Sequence, residues 1–202
     1  MEFDILMQKL GDEIVYARDN FIPIIRDKSA LYLYNYVKDN GIKNVLEIGT
    51  AIGFSGSIIL SAGAENLTTV EIKETSFNKA CETFQKLNLQ DKVVMHLDDA
   101  KNVIEKLKED GSKFDMIFLD GAKGQYIYYL DTLKDLIIDG GVIFADNVLL
   151  HGMVESDEKI PRRKRTMVVN LRKYLEAINE YPYESELIRL EDGIAITKVK
   201  GV

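Results

Sequence analysis

Tryptophan is missing from the 202 residues, cysteine occurs once, histidine twice and proline three times. A lone cysteine, Cys81, excludes an intrachain disulfide and any cysteine cluster around a metal. Set in the helix-like "SFNKACETFQKL", it reads as a packed helix residue rather than a nucleophile. No apolar run approaches the roughly 20 residues that cross a bilayer. The opening "MEFDILMQKLGDEIVYARDN" carries acids where a signal peptide carries positive charge, so the expected location is the cytoplasm with no membrane partner. Internal repeats, low-complexity tracts and long linkers are absent too. Basic residues (26) are outnumbered by acidic ones (33), and the resulting charge of −7 argues against nonspecific coating of nucleic acid while leaving room for local patches. A hydrophobic share of 46% over this length fills one core and is too little for two domains of ordinary size. One domain, 1–202, is expected, with helices over 1–40 ahead of an α/β core over 41–202.

What the chain does have is alternation. Strand-like runs at "NVLEI" (44–48), "LTTVEI" (67–72), "KVVMHL" (92–97), "FDMIFLD" (114–120) and "GGVIFAD" (140–146) are separated by helical patterns near 55–63, 74–88, 99–110 and 124–137. Those connections are long enough to cross over between parallel strands. A helical stretch over about 163–180 then leads to "SELIRL" (185–190), the turn "EDG" and "IAITKV" (194–199). So short a connection makes a hairpin, which sets one strand antiparallel. The expected fold is α/β, a doubly wound, mostly parallel sheet of seven strands with a terminal hairpin, preceded by helices over roughly 2–20 and 29–39.

Within "NVLEIGTAIGFSGSIIL", a buried strand runs into a glycine-punctuated turn and a new apolar segment, the junction at which open α/β sheets bind nucleotides. Ala51 stands where a dinucleotide fingerprint needs glycine; the spacing is E-x-G-x-x-x-G, from Glu47 through Gly49 to Gly53. Together with the strand layout, it resembles the S-adenosylmethionine loop of class I methyltransferases. That resemblance implies a cofactor set of Glu47, Gly49, Thr50, Gly53 and Ser55, with Glu47 complementary to the cationic methionine end; the residues alone also allow Glu47 to cap the loop. Glu71, about 20 residues beyond the glycines, is placed to accept from both ribose hydroxyls. Asp99 and Ala100, in "LDDA", fall where the family contacts adenine, although Asp98 or Asp99 serves equally well as a helix cap.

Asp120 ends the fourth strand, and Asp146 and Asn147 end the fifth. Two carboxylates and an amide, with no cysteine or obvious histidine partner, suit a hard divalent ion such as Mg²⁺, or Mn²⁺ or Ca²⁺ in its place. The set "EIGTAIGFS", "DGAKGQY" and "ADN" resembles the bacterial branch of the metal-dependent, catechol-type O-methyltransferases over nearly the whole chain. The resemblance implies Asp120, Asp146 and Asn147 as metal ligands, Asp120 also touching cofactor and reaction centre, and Lys123 as general base, where a plain surface lysine is the alternative. It also implies a homodimer, for which the apolar stretches around Phe3–Val15 and Leu31–Val37 are available, although packing against their own sheet explains them equally well.

The substrate is addressed by "IPRRKRTMVVNLRKYLEAI" (160–178). Val168, Leu171, Leu175 and Ile178 form a core stripe, and Arg165 and Arg172 project beside it, preceded by Arg162, Arg163 and Lys164. Such a basic run fits a solvated helix face or a phosphate backbone. "DNVLLHGMV" followed by this segment is similar to bacterial tRNA methyltransferases that convert 5-hydroxyuridine at the wobble position to 5-methoxyuridine, whose 5-hydroxyl and 4-keto oxygens chelate as a catechol does. The resemblance implies the tRNA anticodon stem-loop as partner, with Arg162, Arg163, Arg165 and Arg172 binding it. A small phenolic substrate is the alternative, and a catalytically silent dimeric binding module a third reading. His151 reads as an exposed loop residue within reach of the substrate mouth.

Overall fold

The computed structural model describes residues 1–200. Their sheet has seven strands in the order β3 (Val93–Leu97), β2 (Asn66–Glu71), β1 (Asn44–Ile48), β4 (Phe114–Leu119), β5 (Ile137–Asp146), β7 (Ile194–Val199) and β6 (Tyr183–Ile188), and the pairs β5–β7 and β7–β6 are antiparallel. By internal contacts the chain forms two compact units, Met1–Val103 and the part from Ile104 onward.

The first unit carries α1 (Phe3–Lys9), α2 (Gly11–Asp19), α3 (Asp27–Asp39), β1 (Asn44–Ile48), α4 (Phe54–Ala62), β2 (Asn66–Glu71), α5 (Glu74–Lys86) and β3 (Val93–Leu97). One helix was expected over 2–20; there are two, broken at Leu10, because Gly11 is a weak helix former and Leu10 turns there with φ −86° and ψ 6°. Strand β1 is buried along Val45–Ile48, and β2 and β3 add to it in parallel register. Every residue of α4 is buried, so it is apolar on all sides, with only small serines and a glycine among the large side chains. Gly56 is one of them: a Cβ there would sit 2.7 Å from Leu67 and 3.1 Å from Glu47 Oε2, so the helix presses on β2 only because that atom is missing.

Helix α6 (Ala100–Glu109) contains the boundary between the units. The second unit continues with β4 (Phe114–Leu119), α7 (Tyr126–Leu133), β5 (Ile137–Asp146), α8 (Arg165–Ala177), β6 (Tyr183–Ile188) and β7 (Ile194–Val199). The fourth crossover helix stops at Leu133, short of the expected 137, and β5 begins at Ile137 rather than 140. Its register skips from Phe114↔Ile137 to Met116↔Val142, so the intervening residues bulge out of the ladder, with Gly140 at φ +78° supplying the backbone turn. Beyond the bulge, Val142–Ala145 are buried between β4 and β7. Of the expected core stripe, Val168, Leu171 and Ile178 are buried and Leu175 only half-buried, while Tyr174 of α8, outside that stripe, is fully buried.

Candidate active site

In the first unit the glycine loop is fixed from β2. Gly49 and Thr50 N–H both donate to the Val70 carbonyl at 3.1 Å, and Gly53 N–H closes a turn on Thr50 O at 2.9 Å. Gly53 then starts α4 in the left-handed region, at φ +77°. The carboxylate of Glu47 does not face solvent. It is fully buried, with Ser55 Oγ donating to Oε1 and Thr69 Oγ1 to Oε2, each at 2.6 Å, lengths typical of a hydroxyl on a carboxylate. Since Thr69 gives its one proton to Glu47, the 2.6 Å contact between the Thr50 and Thr69 hydroxyls is donated by Thr50. The acid therefore organises strand tip, loop and helix start together.

Glu71 also holds the loop. Its Oε2 accepts Ala51 N–H at 2.8 Å, while Oε1 accepts Ile72 and Lys73 N–H at 2.9 and 2.8 Å. A carboxylate offers about four lone-pair sites, so one well-aligned position remains for a further donor, rather than two for a pair of ribose hydroxyls. Ala51, at φ +46°, needs this support because a residue with a Cβ is strained in the left-handed region. Asp98 Oδ1 accepts Asp99 N–H at 2.6 Å and Asn102 Nδ2 at 2.9 Å, and Asp99 Oδ1 accepts Lys101 N–H at 2.8 Å. The bond from Asn102, then that from Asp99, holds the exposed Asp98 carboxyl below its ordinary pKa. Asp99 caps α6 through the Lys101 N–H, while Asp98 ties the Asp99 N–H to the Asn102 side chain; both remain exposed, as Ala100 is in part.

In the second unit, Asp120 follows β4 and Asp146 ends β5, adjacent parallel strands. Lys123 Nζ donates to Asp120 Oδ1 at 3.0 Å from the turn that opens α7, a turn held by Asn170 Nδ2 on Gly124 O at 2.8 Å. Asp146 is fully buried; Asn147 Nδ2 donates to its Oδ2 at 3.1 Å, and Oδ1 has no hydrogen-bond partner. Burial first, then the neighbouring Asp120, pushes the Asp146 carboxyl up to about 7. Beneath the pair, the buried Tyr126 hydroxyl donates to Leu119 O at 2.9 Å, and burial raises its pKa well above the ordinary phenol value. Among the described residues no group of three or more His, Cys, Asp or Glu is arranged to hold a metal. The candidate set is instead two carboxylates and an amide: an orphaned buried oxygen with accumulated negative charge is what a hard cation would relieve, so these residues fit one.

The basic residues divide. Arg162 and Arg163 lie in a short 3₁₀ turn and Arg165 opens α8, all three exposed. Arg172 is engaged elsewhere: Nε donates to Val154 O at 2.7 Å and Nη2 to Ser156 O at 2.6 Å, pinning the segment after β5. It acts as a brace, contrary to the expectation that it projects freely for a substrate phosphate. His151, on the loop after β5, has its N–H donated to Asp192 Oδ1 at 2.7 Å and its Nδ1 3.2 Å from Asp192 Oδ2. Thr69, Tyr126, Asn170 and Asp192 were not expected at a site. Of these, only Asp192 had a cue, an acid in a turn beside the last strand.

A family model described as O-methyltransferase matches residues 4–200. The chain is 28% identical over 174 residues to tapetum-specific methyltransferase 1 of Arabidopsis thaliana, covering 84% of this chain and 75% of that one. To caffeoyl-CoA O-methyltransferase 2 of Populus trichocarpa it is 27% identical over 223 aligned positions, covering 98% and 90%. Its fold matches an O-methyltransferase of Bacillus cereus, solved in complex with SAH, at a TM-score of 0.86 and 23% identity, covering 96% of this chain and 91% of that one.

Proposed function

The chain belongs to the O-methyltransferase family, and from that premise we propose that it transfers the methyl group of S-adenosylmethionine to one of two vicinal oxygens on a small catechol-like phenol, with a divalent cation at Asp120, Asp146 and Asn147. One observation carries the reading: Asp146 Oδ1 is buried, unpartnered and influenced by a second carboxylate, Asp120. When bound, the cation supplies positive charge that orients a chelating substrate and favours its oxyanion, and S-adenosylmethionine supplies the electrophilic methyl group.

The chain's own residues do the rest. The loop over Gly49–Gly53, shaped by Glu47 and Glu71, presents backbone and one free carboxylate position to the donor. Asp99 and Ala100 border the adenine. Lys123 Nζ, held at Asp120 Oδ1, is placed to take the proton leaving the acceptor oxygen or to meet the oxyanion with its charge. The two compact units act as a single O-methyltransferase domain, and the chain pairs as a homodimer through its N-terminal helices, which leave Ile5, Val15 and Leu31 exposed.

The phenolic acceptor is supported by the plant relatives named for caffeoyl-CoA, which favours it over tRNA as the first choice. Wobble 5-hydroxyuridine is the second reading, supported by the exposed Arg162, Arg163 and Arg165. The test is methyl transfer from S-adenosylmethionine to a soluble catechol and to an anticodon stem-loop bearing 5-hydroxyuridine, each with Mg²⁺ or excess chelator. Methylation of the catechol that stops with chelator supports the proposal; undiminished transfer in chelator removes the cation, and transfer to RNA alone moves the assignment to tRNA.

A further inference from the structure

The loop that carries Asn147 is held from outside by the turn between β6 and β7. Three of its non-glycine residues are in the left-handed region, Asn147 at φ 56°, Leu150 at 47° and His151 at 55°, a conformation that persists only where surroundings impose it. The imposing contacts come from two residues. Gly193 O accepts Val148 N–H at 3.0 Å and Asp192 O accepts Leu149 N–H at 2.9 Å. The only side chain among these partners is Asp192, whose carboxylate takes His151 N–H at 2.7 Å and lies against its imidazole at 3.2 Å. That carboxylate is itself 7% exposed. The turn packs tightly enough that a Cβ on Gly193 would fall 2.4 Å from Leu149 Cγ.

We propose that Asp192 is a positioning residue for the divalent cation: by clamping the His151 N–H it fixes the Asn147–His151 loop, and so sets the Asn147 amide beside Asp146. The inference rests on the cation reading proposed above. Asp192 makes no contact with cation, cofactor or substrate in this role; its charge also reaches the Asp146 carboxylate, and Asp192→Asn, which removes that charge and keeps the clamp, separates the two effects.

The test is calorimetric titration of Mn²⁺ into the substrate-free protein, wild type against Asp192→Ala and Asp192→Asn, with S-adenosylmethionine affinity measured in parallel. Asp192→Ala should weaken Mn²⁺ at least about tenfold, the usual consequence of removing a group that orients a metal ligand. Donor affinity should stay within about twofold, and Asp192→Asn, which keeps an oxygen for the His151 N–H, should recover most of the loss. If Asp192→Ala does not fold, Asp192→Leu, close to Asp in size and offering the His151 N–H no acceptor, should show the same Mn²⁺ loss. Wild-type Mn²⁺ affinity in a folded Asp192→Ala or Asp192→Leu protein overturns the clamp while leaving the cation reading standing. No Mn²⁺ binding by the wild type removes both.

Discussion

Lys123 Nζ rests 3.0 Å from Asp120 Oδ1, with the two side chains only 18% and 16% exposed. The ammonium thus occupies a carboxylate that a cation would also claim, and the two positive charges compete. Replacing Lys123 by Met should raise Mg²⁺ or Mn²⁺ affinity roughly 3- to 10-fold, about 1 kcal/mol of competing ion pairing. Turnover should fall by about 10²-fold or more, the usual contribution of a positioned proton acceptor. Calorimetry and steady-state kinetics read the two effects separately. Unchanged turnover would make Lys123 a structural partner of Asp120 alone.

Asp146 predicts an unusual pH dependence. Its folded pKa of about 7 lies above the ordinary aspartate value of 3.8, so between those values the folded state binds more protons than the unfolded one. Stability of the cation-free protein should therefore fall as pH rises from about 4 to about 7 and level off above, by a few kcal/mol at most. A bound cation favours the carboxylate and should remove or reverse that slope. Thermal melts at about pH 5 and about pH 8, in chelator and in excess Mg²⁺, provide the check. A cation-free melting temperature that rises with pH across this window would place Asp146 in a less hostile environment than its burial indicates.

Glu71 should matter twice, as loop support and as a partner of the donor. Asp and Glu are both acids, but Asp at this position cannot span from β2 to the Ala51 N–H, which Glu71 reaches at 2.8 Å. Both Glu71→Ala and Glu71→Asp should weaken S-adenosylmethionine binding by about 1–3 kcal/mol, the scale of unpaired polar groups. Titration without metal measures this directly; a full-affinity Glu71→Asp variant would show that the Ala51 contact is dispensable.

Much of this was legible beforehand, for reasons that differ from residue to residue. Strand β1 and the closing strand β7 fall on their expected boundaries because strong apolar runs meet glycine-bearing turns at their ends. The limits of α7 and β5 were not legible, since "LKDLIIDGG" is a short apolar run compatible with either structure, and the bulge at Gly140 depends on pairing with β4. The roles of Glu47 and Arg172 were obscured in another way. Residue type announces a charge, but whether that charge faces a ligand or is consumed by the protein is decided by residues far away in sequence, Thr69 for one and the Val154 and Ser156 carbonyls for the other. Asp192 was hidden for the same reason: as part of "EDG" it explains a turn completely, and only the fold brings His151 to it.

The different attachments of Arg165 and Arg172 make the substrate question testable with two single substitutions. Arg165 is exposed at the start of α8, and Arg172 donates at 2.7 and 2.6 Å to carbonyls of the segment after β5. Arg172→Ala should lower stability by about 1–3 kcal/mol, the scale of hydrogen bonds made by a charged donor. Its kinetic effect should be similar for catechol and RNA, because the brace serves the fold whatever the substrate. Arg165→Ala should leave stability within about 0.5 kcal/mol, as expected for an exposed side chain away from such bonds. If RNA is a substrate, Arg165→Ala should raise its Michaelis constant and flatten its salt dependence by about one unit of slope, one phosphate contact's share of counterion release. Catechol methylation should not respond, since that substrate has no phosphate. Denaturant melts combined with kinetics on both substrates at two ionic strengths separate these outcomes. An Arg165→Ala enzyme with unaltered RNA kinetics at both salts would leave the basic turn as a solvated surface and the phenolic acceptor as the better assignment.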